Sequence, residues 1–128
     1  MRFALALIMF ALPAAAQDVD CDNAEAQVEL TYCAEQDWMA ADADLNDAYQ
    51  AAMAVMKSVD ANLDASERGA AENLLNAQRA WITFRDAACA AEGYSMHGGS
   101  AEPMVIYGCR ALLTQQRAES LWYLAEPY

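Results

Sequence analysis

From Asn23 to about Val59 the chain holds no glycine and no proline, and it is rich in Ala, Glu, Gln, Leu and Met. Nothing in such a stretch breaks a helix and most of it favours one. A helix of about 35 residues is roughly 50 Å long. Asp22 or Asn23 is placed to cap it, with Glu25 in the first turn where the helix dipole favours negative charge. Trp38, Ala41, Leu45, Ala48, Ala52, Val55 and Val59 recur at steps of three and four, a narrow seam suited to antiparallel helix packing. Beside it runs a second row of Asp42, Asn46, Tyr49, Met53 and Met56.

Asp60 to Asp64 reads as a turn. Asp64-Ala65-Ser66-Glu67 resembles a capping box that starts a second helix, with Ser66 as the alternative cap, Gly69 early in the helix and Gly93 as a C′ residue at its end. On this helix Leu74, Gln78, Trp81, Arg85 and Ala88 share one face. An amide and a guanidinium on a packing face require polar partners from a neighbouring helix, because buried polar groups without partners cost stability. Antiparallel packing about the turn near Asn62 sets Asn46 by Gln78 and Asp42 by Arg85. The expected role of an Arg–carboxylate pair at that place is to fix helix register.

Glu92 to Glu102 is the one irregular region, with Tyr94, His97, Gly98, Gly99 and Ser100 in it. Pro103 suits the first turn of a third helix that runs to Glu126. That helix is expected to bury some of Val105, Leu112, Leu121 and Trp122 and to expose Arg110 or Arg117. No strand-like alternation and no repeat is present. The fold expected is all-α, a small, mostly antiparallel three-helix bundle stapled by two disulfides.

Residues 1–16 read as a secretory signal peptide, with a basic start, an apolar run from Phe3 to Leu12 and small residues up to Ala16. Cleavage after Ala16 leaves residues 17–128 as one domain, periplasmic or secreted, with no membrane anchor. Four cysteines, Cys21, Cys33, Cys89 and Cys109, argue for two disulfides in an oxidising compartment. Cys21–Cys33 and Cys89–Cys109 each close a short loop. Cys33–Cys89 is the rival pairing, since both residues lie nearly level on antiparallel helices. With one histidine, His97, and no C-x-x-C pair, no metal or other cofactor is expected.

The formal net charge is −12, and loss of Arg2 with the signal peptide makes it −13, from six basic and nineteen acidic residues. Twelve of the acids lie between residues 17 and 64, where Lys57 is the lone base. Nucleic acid is excluded as a partner by phosphate repulsion, and anionic membrane is equally unattractive. A basic protein would be steered toward such a surface.

The pattern Asp42-x-x-Leu45-Asn46-x-x-Tyr49, followed by Gln78-Arg79-Ala80-Trp81-x-x-x-Arg85-Asp86-x-x-Cys89, resembles the LprI-type lysozyme-inhibitor domain family. The flanking Cys21 and Cys33, Gly98-Gly99-Ser100, Cys109 and Arg117 are similar too, so the resemblance covers Cys21 to Leu124. It implies a small exported helical domain and, from the family's name, binding to lysozyme. In that reading Tyr94, His97, Gly98, Gly99 and Ser100 form a loop that can enter a lysozyme cleft. The alternative for the loop is a plain connector whose glycines serve the turn. The alternative for the protein is a cell-envelope interaction module with another partner. No catalytic motif is present: no G-x-S-x-G, no H-E-x-x-H and no phosphate-cradling loop.

Overall fold

The computed structural model describes residues 18–126; the expected signal peptide and its cleavage point lie outside them. Three long helices make up the described chain, α1 (Gln27–Ala61), α2 (Ala70–Gly93) and α3 (Glu102–Ala125), with single 3₁₀ turns at Ala65–Glu67 and Tyr94–Met96 and no strand. None of the helices is long and apolar enough to cross a membrane. Disulfides join Cys21 to Cys33 and Cys89 to Cys109, with Cα atoms 5.6 and 5.4 Å apart. The rival Cys33–Cys89 bond is not formed.

The helix starts differ from the sequence expectation. Asp20, rather than Asp22 or Asn23, organises the lead-in, accepting from Asp22 N–H and Asn23 Nδ2 at 3.1 and 2.8 Å. The helix then begins at Gln27, and Glu29 in its first turn accepts from the Glu25 and Ala26 N–H groups. At α2 the anticipated capping box folds into the 3₁₀ turn instead. The cap comes from the end of α1, where the Asp60 carboxylate accepts from the N–H groups of Gly69, Ala70 and Ala71 at 2.9, 2.9 and 3.0 Å.

Those bonds, led by the one from Gly69, hold the Asp60 carboxyl below its ordinary value. A folded-state pKa below the unfolded one contributes stability above the unfolded value and loses it as pH falls through the folded value. Asp60→Asn is therefore expected to melt earlier than the parent at neutral pH, with the difference shrinking as the pH drops below the ordinary carboxylate range. Asp64→Asn, in an exposed position, should leave the melting curve nearly unchanged at either pH. Equal melting of Asp60→Asn and parent at neutral pH would show that this carboxylate does not join the two helices.

The apolar seam of α1 is buried at Ala41, Leu45, Ala48 and Ala52, while Trp38 and Val55 are half-buried and Val59 is exposed. It is covered chiefly by a parallel helix, where an antiparallel one was expected. α1 packs chiefly on α3, and only lightly on α2. Trp38 stacks on Tyr107 and Trp122 Nε1 donates to Asp44 at 3.0 Å, so α1 and α3 ascend together. α2 runs antiparallel to both, as the Asp42–Arg85 and Cys89–Cys109 pairings show. Alanines 41, 48 and 52 of α1 and 111 and 118 of α3 are all buried. Small side chains let helix backbones approach closely, so the parallel pair becomes the larger interface.

On α3 only Leu121 of the four expected core residues is fully buried. Val105 is half-buried, whereas Leu112 and Trp122 are exposed. Arg110 and Arg117, of which one was expected to be exposed, are both half-buried. Gly93 lies in the right-handed helical region at φ −57°, so it is no left-handed C′ residue. Its hydrogen instead lets α2 close on α3, since a Cβ there would sit 2.6 Å from Ile106 Cγ1.

Candidate functional site

Two groups of residues stand out, one within the bundle and one at its end. The inner group is centred on Arg85, which is buried. Its guanidinium lies 5.5 Å from the Trp38 ring centre and 5.2 Å from that of Trp81. Nε donates to Asp86 Oδ1 at 3.0 Å, and Nη1 reaches Asp42 Oδ1 at 3.5 Å and Thr114 Oγ1 at 3.4 Å. One side chain from α2 therefore holds partners on α1 and α3 together. Arg110 extends the group, lying 4.9 Å from the Trp38 ring centre, with Nε 3.5 Å from Asp86 Oδ1 but without hydrogen-bond geometry.

Gln78 lines one groove with Asn46, its expected neighbour, but takes its hydrogen bond from another helix: its Oε1 accepts from Arg117 Nε of α3 at 3.0 Å, while Asn46 is exposed. Burial pushes the Arg117 guanidinium below its ordinary pKa. Leu45 lies in the core cluster, and Tyr49 packs against it from a half-buried position. The structure thus brings Asp42, Gln78, Trp81, Arg85, Asp86 and Arg117 together between the helices, with Asp42 and Asp86 still partly open to solvent.

The loop residues sit at the other place, where α2 ends and α3 begins. Gly98 has φ +76°, a left-handed conformation that favours glycine. Its N–H donates to Glu102 Oε2 at 2.9 Å, and His97 Nδ1 lies 3.1 Å from Glu102 Oε1. The Gly98 bond first and the His97 bond second hold the Glu102 carboxyl below its ordinary value. Gly99 N–H donates to Met96 O at 2.9 Å. The Tyr94 and His97 rings stack with centres 4.3 Å apart and planes 5° from parallel, and Tyr94 remains 67% exposed. The loop is folded onto the first carboxylate of α3 and presents a stacked aromatic pair to solvent.

Glu102 is the residue that sequence reasoning missed here. A Glu just after Gly-Gly-Ser and just before the Pro of a helix start was the available signal, since a carboxylate there can accept loop N–H groups. Two grooves flank the loop. One is lined by Gly98, Gly99, Ile106, Tyr107 and Arg110, the other by Ser100, Pro103 and the first turns of α1. The described residues hold no cluster of three or more His, Cys, Asp or Glu placed to bind a metal ion.

Comparison with known proteins places this geometry in context. The family model described as lysozyme inhibitor LprI matches residues 20–121. A protein of Rhizobium meliloti (strain 1021), named only as uncharacterized, is 45% identical over 125 residues, which is 94% of this chain and 90% of the relative. The crystal structure of a DUF1311 family protein from Pseudomonas putida KT2440 superposes with a TM-score of 0.66 at 25% identity, covering 78% of this chain and 94% of that one.

Proposed function

The chain belongs to the lysozyme inhibitor LprI family, and on that premise we propose that it is an exported, non-catalytic binding protein that blocks a lysozyme and so protects peptidoglycan. The observation that supports this most is the organised loop. Tyr94 and His97 are stacked, His97 is tied to Glu102, and both rings are exposed, so a partner that accepts them meets them already arranged. Animal lysozymes are basic proteins with a carboxylate-lined cleft. The acidic first half of the chain complements that charge and steers the encounter. Tyr94, His97 and Ser100 make the close contacts, and Gly98 and Gly99 keep the loop narrow.

The test is lysis of bacterial cells by a basic lysozyme in the presence of the mature protein. The parent should slow lysis, and raised salt should slow the association because exposed charges are screened. Tyr94→Ala/His97→Ala leaves the net charge nearly unchanged yet should weaken inhibition about tenfold or more, the scale of losing a contact worth about 1.4 kcal/mol. Should the double variant inhibit as well as the parent, the loop is a connector. Should the parent inhibit no lysozyme at low salt, the protein is better read as a cell-envelope interaction module.

A further inference from the structure

The groove on the α1 side of the loop sets exposed apolar side chains beside acidic ones. Val28 and Tyr32 stand one turn apart on α1, 77% and 44% exposed, and line it together with Gln27, Thr31, Ser100 and Pro103. Large side chains one helical turn apart share a face. The floor is held in place from two directions. Cys33, next to Tyr32, is bonded to Cys21, and Gln27 Nε2 reaches Thr31 Oγ1 at 3.3 Å and Met104 Sδ of α3 at 3.4 Å. Ser100 belongs to the candidate loop, so groove and loop form one continuous surface.

The surroundings are acidic. Glu35 lines the groove, Glu25 is exposed at the helix entry, and Glu29 lies in the first turn. Lys57, the lone base of residues 17–64, is 29 residues beyond Val28, roughly 44 Å along the helix, and Arg110 lines the groove across the loop, where it lies over Trp38 and beside Asp86. An apolar centre with acidic groups along its α1 side is the layout of a contact patch for a partner with a basic rim.

We infer that this ledge is a second contact surface for a basic protein, with Val28 and Tyr32 as its anchors and Glu25 and Glu35 on its rim. The inference rests on the reading that the partner is a lysozyme, and it adds a surface outside the loop that grips the partner beside its cleft. Charge complementarity selects this occupant over a second copy of the chain, whose own acidic rim would be repelled. Apolar anchors act mainly on dissociation and rim charges mainly on association.

The experiment is a binding titration of the mature protein and its variants against a basic lysozyme, run beside the lysis assay. Val28→Ser/Tyr32→Ser should bind at least tenfold more weakly through faster dissociation, with a melting temperature that leaves the variant folded at the assay temperature, since neither side chain belongs to the buried core. Glu25→Gln/Glu35→Gln should instead slow association and flatten its salt dependence. A Val28→Ser/Tyr32→Ser variant that binds within twofold of the parent overturns the ledge and leaves the lysozyme reading intact. Binding without inhibition removes the inhibitor reading alone, and the ledge is then judged on the affinities. A parent that binds no lysozyme at low salt removes both. Sedimentation that finds a dimer in the parent and a monomer in the double variant overturns the inference by giving the groove to a second copy.

Discussion

Arg85→Ala should unfold at a temperature lower by on the order of 10 °C, equivalent to about 3 kcal/mol. The expectation comes from what the side chain holds apart as much as from what it pairs with. Its guanidinium fills the space between the Trp38 and Trp81 rings, and truncation leaves a void there that the indoles can close only in part. Thr114 Oγ1, a partner in a fully buried residue, loses a charged donor. The carboxylates are the smaller part of the loss. Asp42 and Asp86 each keep 44% of their side-chain exposure, so water can hydrate them once the guanidinium is gone.

Arg85→Lys is expected to fall between parent and Arg85→Ala, because it keeps the charge and loses the planar fork. Arg79→Ala, one and a half turns away and exposed, should change stability by no more than about 0.5 kcal/mol. Thermal melts of the purified variants at one pH decide it. Equally mild effects of Arg85→Ala and Arg79→Ala would mean that the inner cluster does not hold the three helices together.

Cys89→Ala/Cys109→Ala should be comparably damaging, and more so than Cys21→Ala/Cys33→Ala. Loop-closure entropy alone does not separate them. Separations of 20 and 12 residues both correspond to about 3 kcal/mol in the chain-entropy model. Position separates them. Cys89 and Cys109 are buried where α2 meets α3, so freeing them opens the core itself. The Cys21 end ties down an exposed lead-in that contains no core residue, and such a segment can open locally while the bundle stays folded. Non-reducing melts of the two double variants give the comparison. A larger drop for the Cys21–Cys33 pair would show that the lead-in, and with it the ledge beside Tyr32, is integral to the folded core.

Much of this molecule is local, and what is local was legible in the residues. The breaker-free run from Asn23 to Val59 is helical from Gln27 on, because its many Ala, Glu, Gln, Leu and Met residues favour that backbone and none of its residues forbids it. Gly-Gly-Ser followed by Glu-Pro marks an end and a start for the same kind of reason. A mixed face of Leu74, Gln78, Trp81 and Arg85 on a 3.6-residue period announces buried polar partners. The Asp42–Arg85 pair followed from counting residues either side of one turn. Even the disulfides are short-range closures.

What the chain order could not decide is which surfaces prefer each other. Periodicity states that Ala41, Leu45, Ala48 and Ala52 form a face, but it carries no information on whether α2 or α3 covers it. That choice depended on buried alanines on both α1 and α3, which let two parallel helices approach closely, while Arg85 and the indoles around it fill the space that α2 spans. The same competition sent Gln78 to Arg117 rather than to Asn46, and it let Asp60, at the end of one helix, displace the nearby Asp64 and Ser66 as the cap of the next. The loop shows both limits at once: its composition named Tyr94 and His97, but only the folded chain brought Glu102 under them and set Val28 and Tyr32 beside Ser100. Helices are decided by neighbours in sequence, whereas a binding surface is decided by which distant backbones can come close.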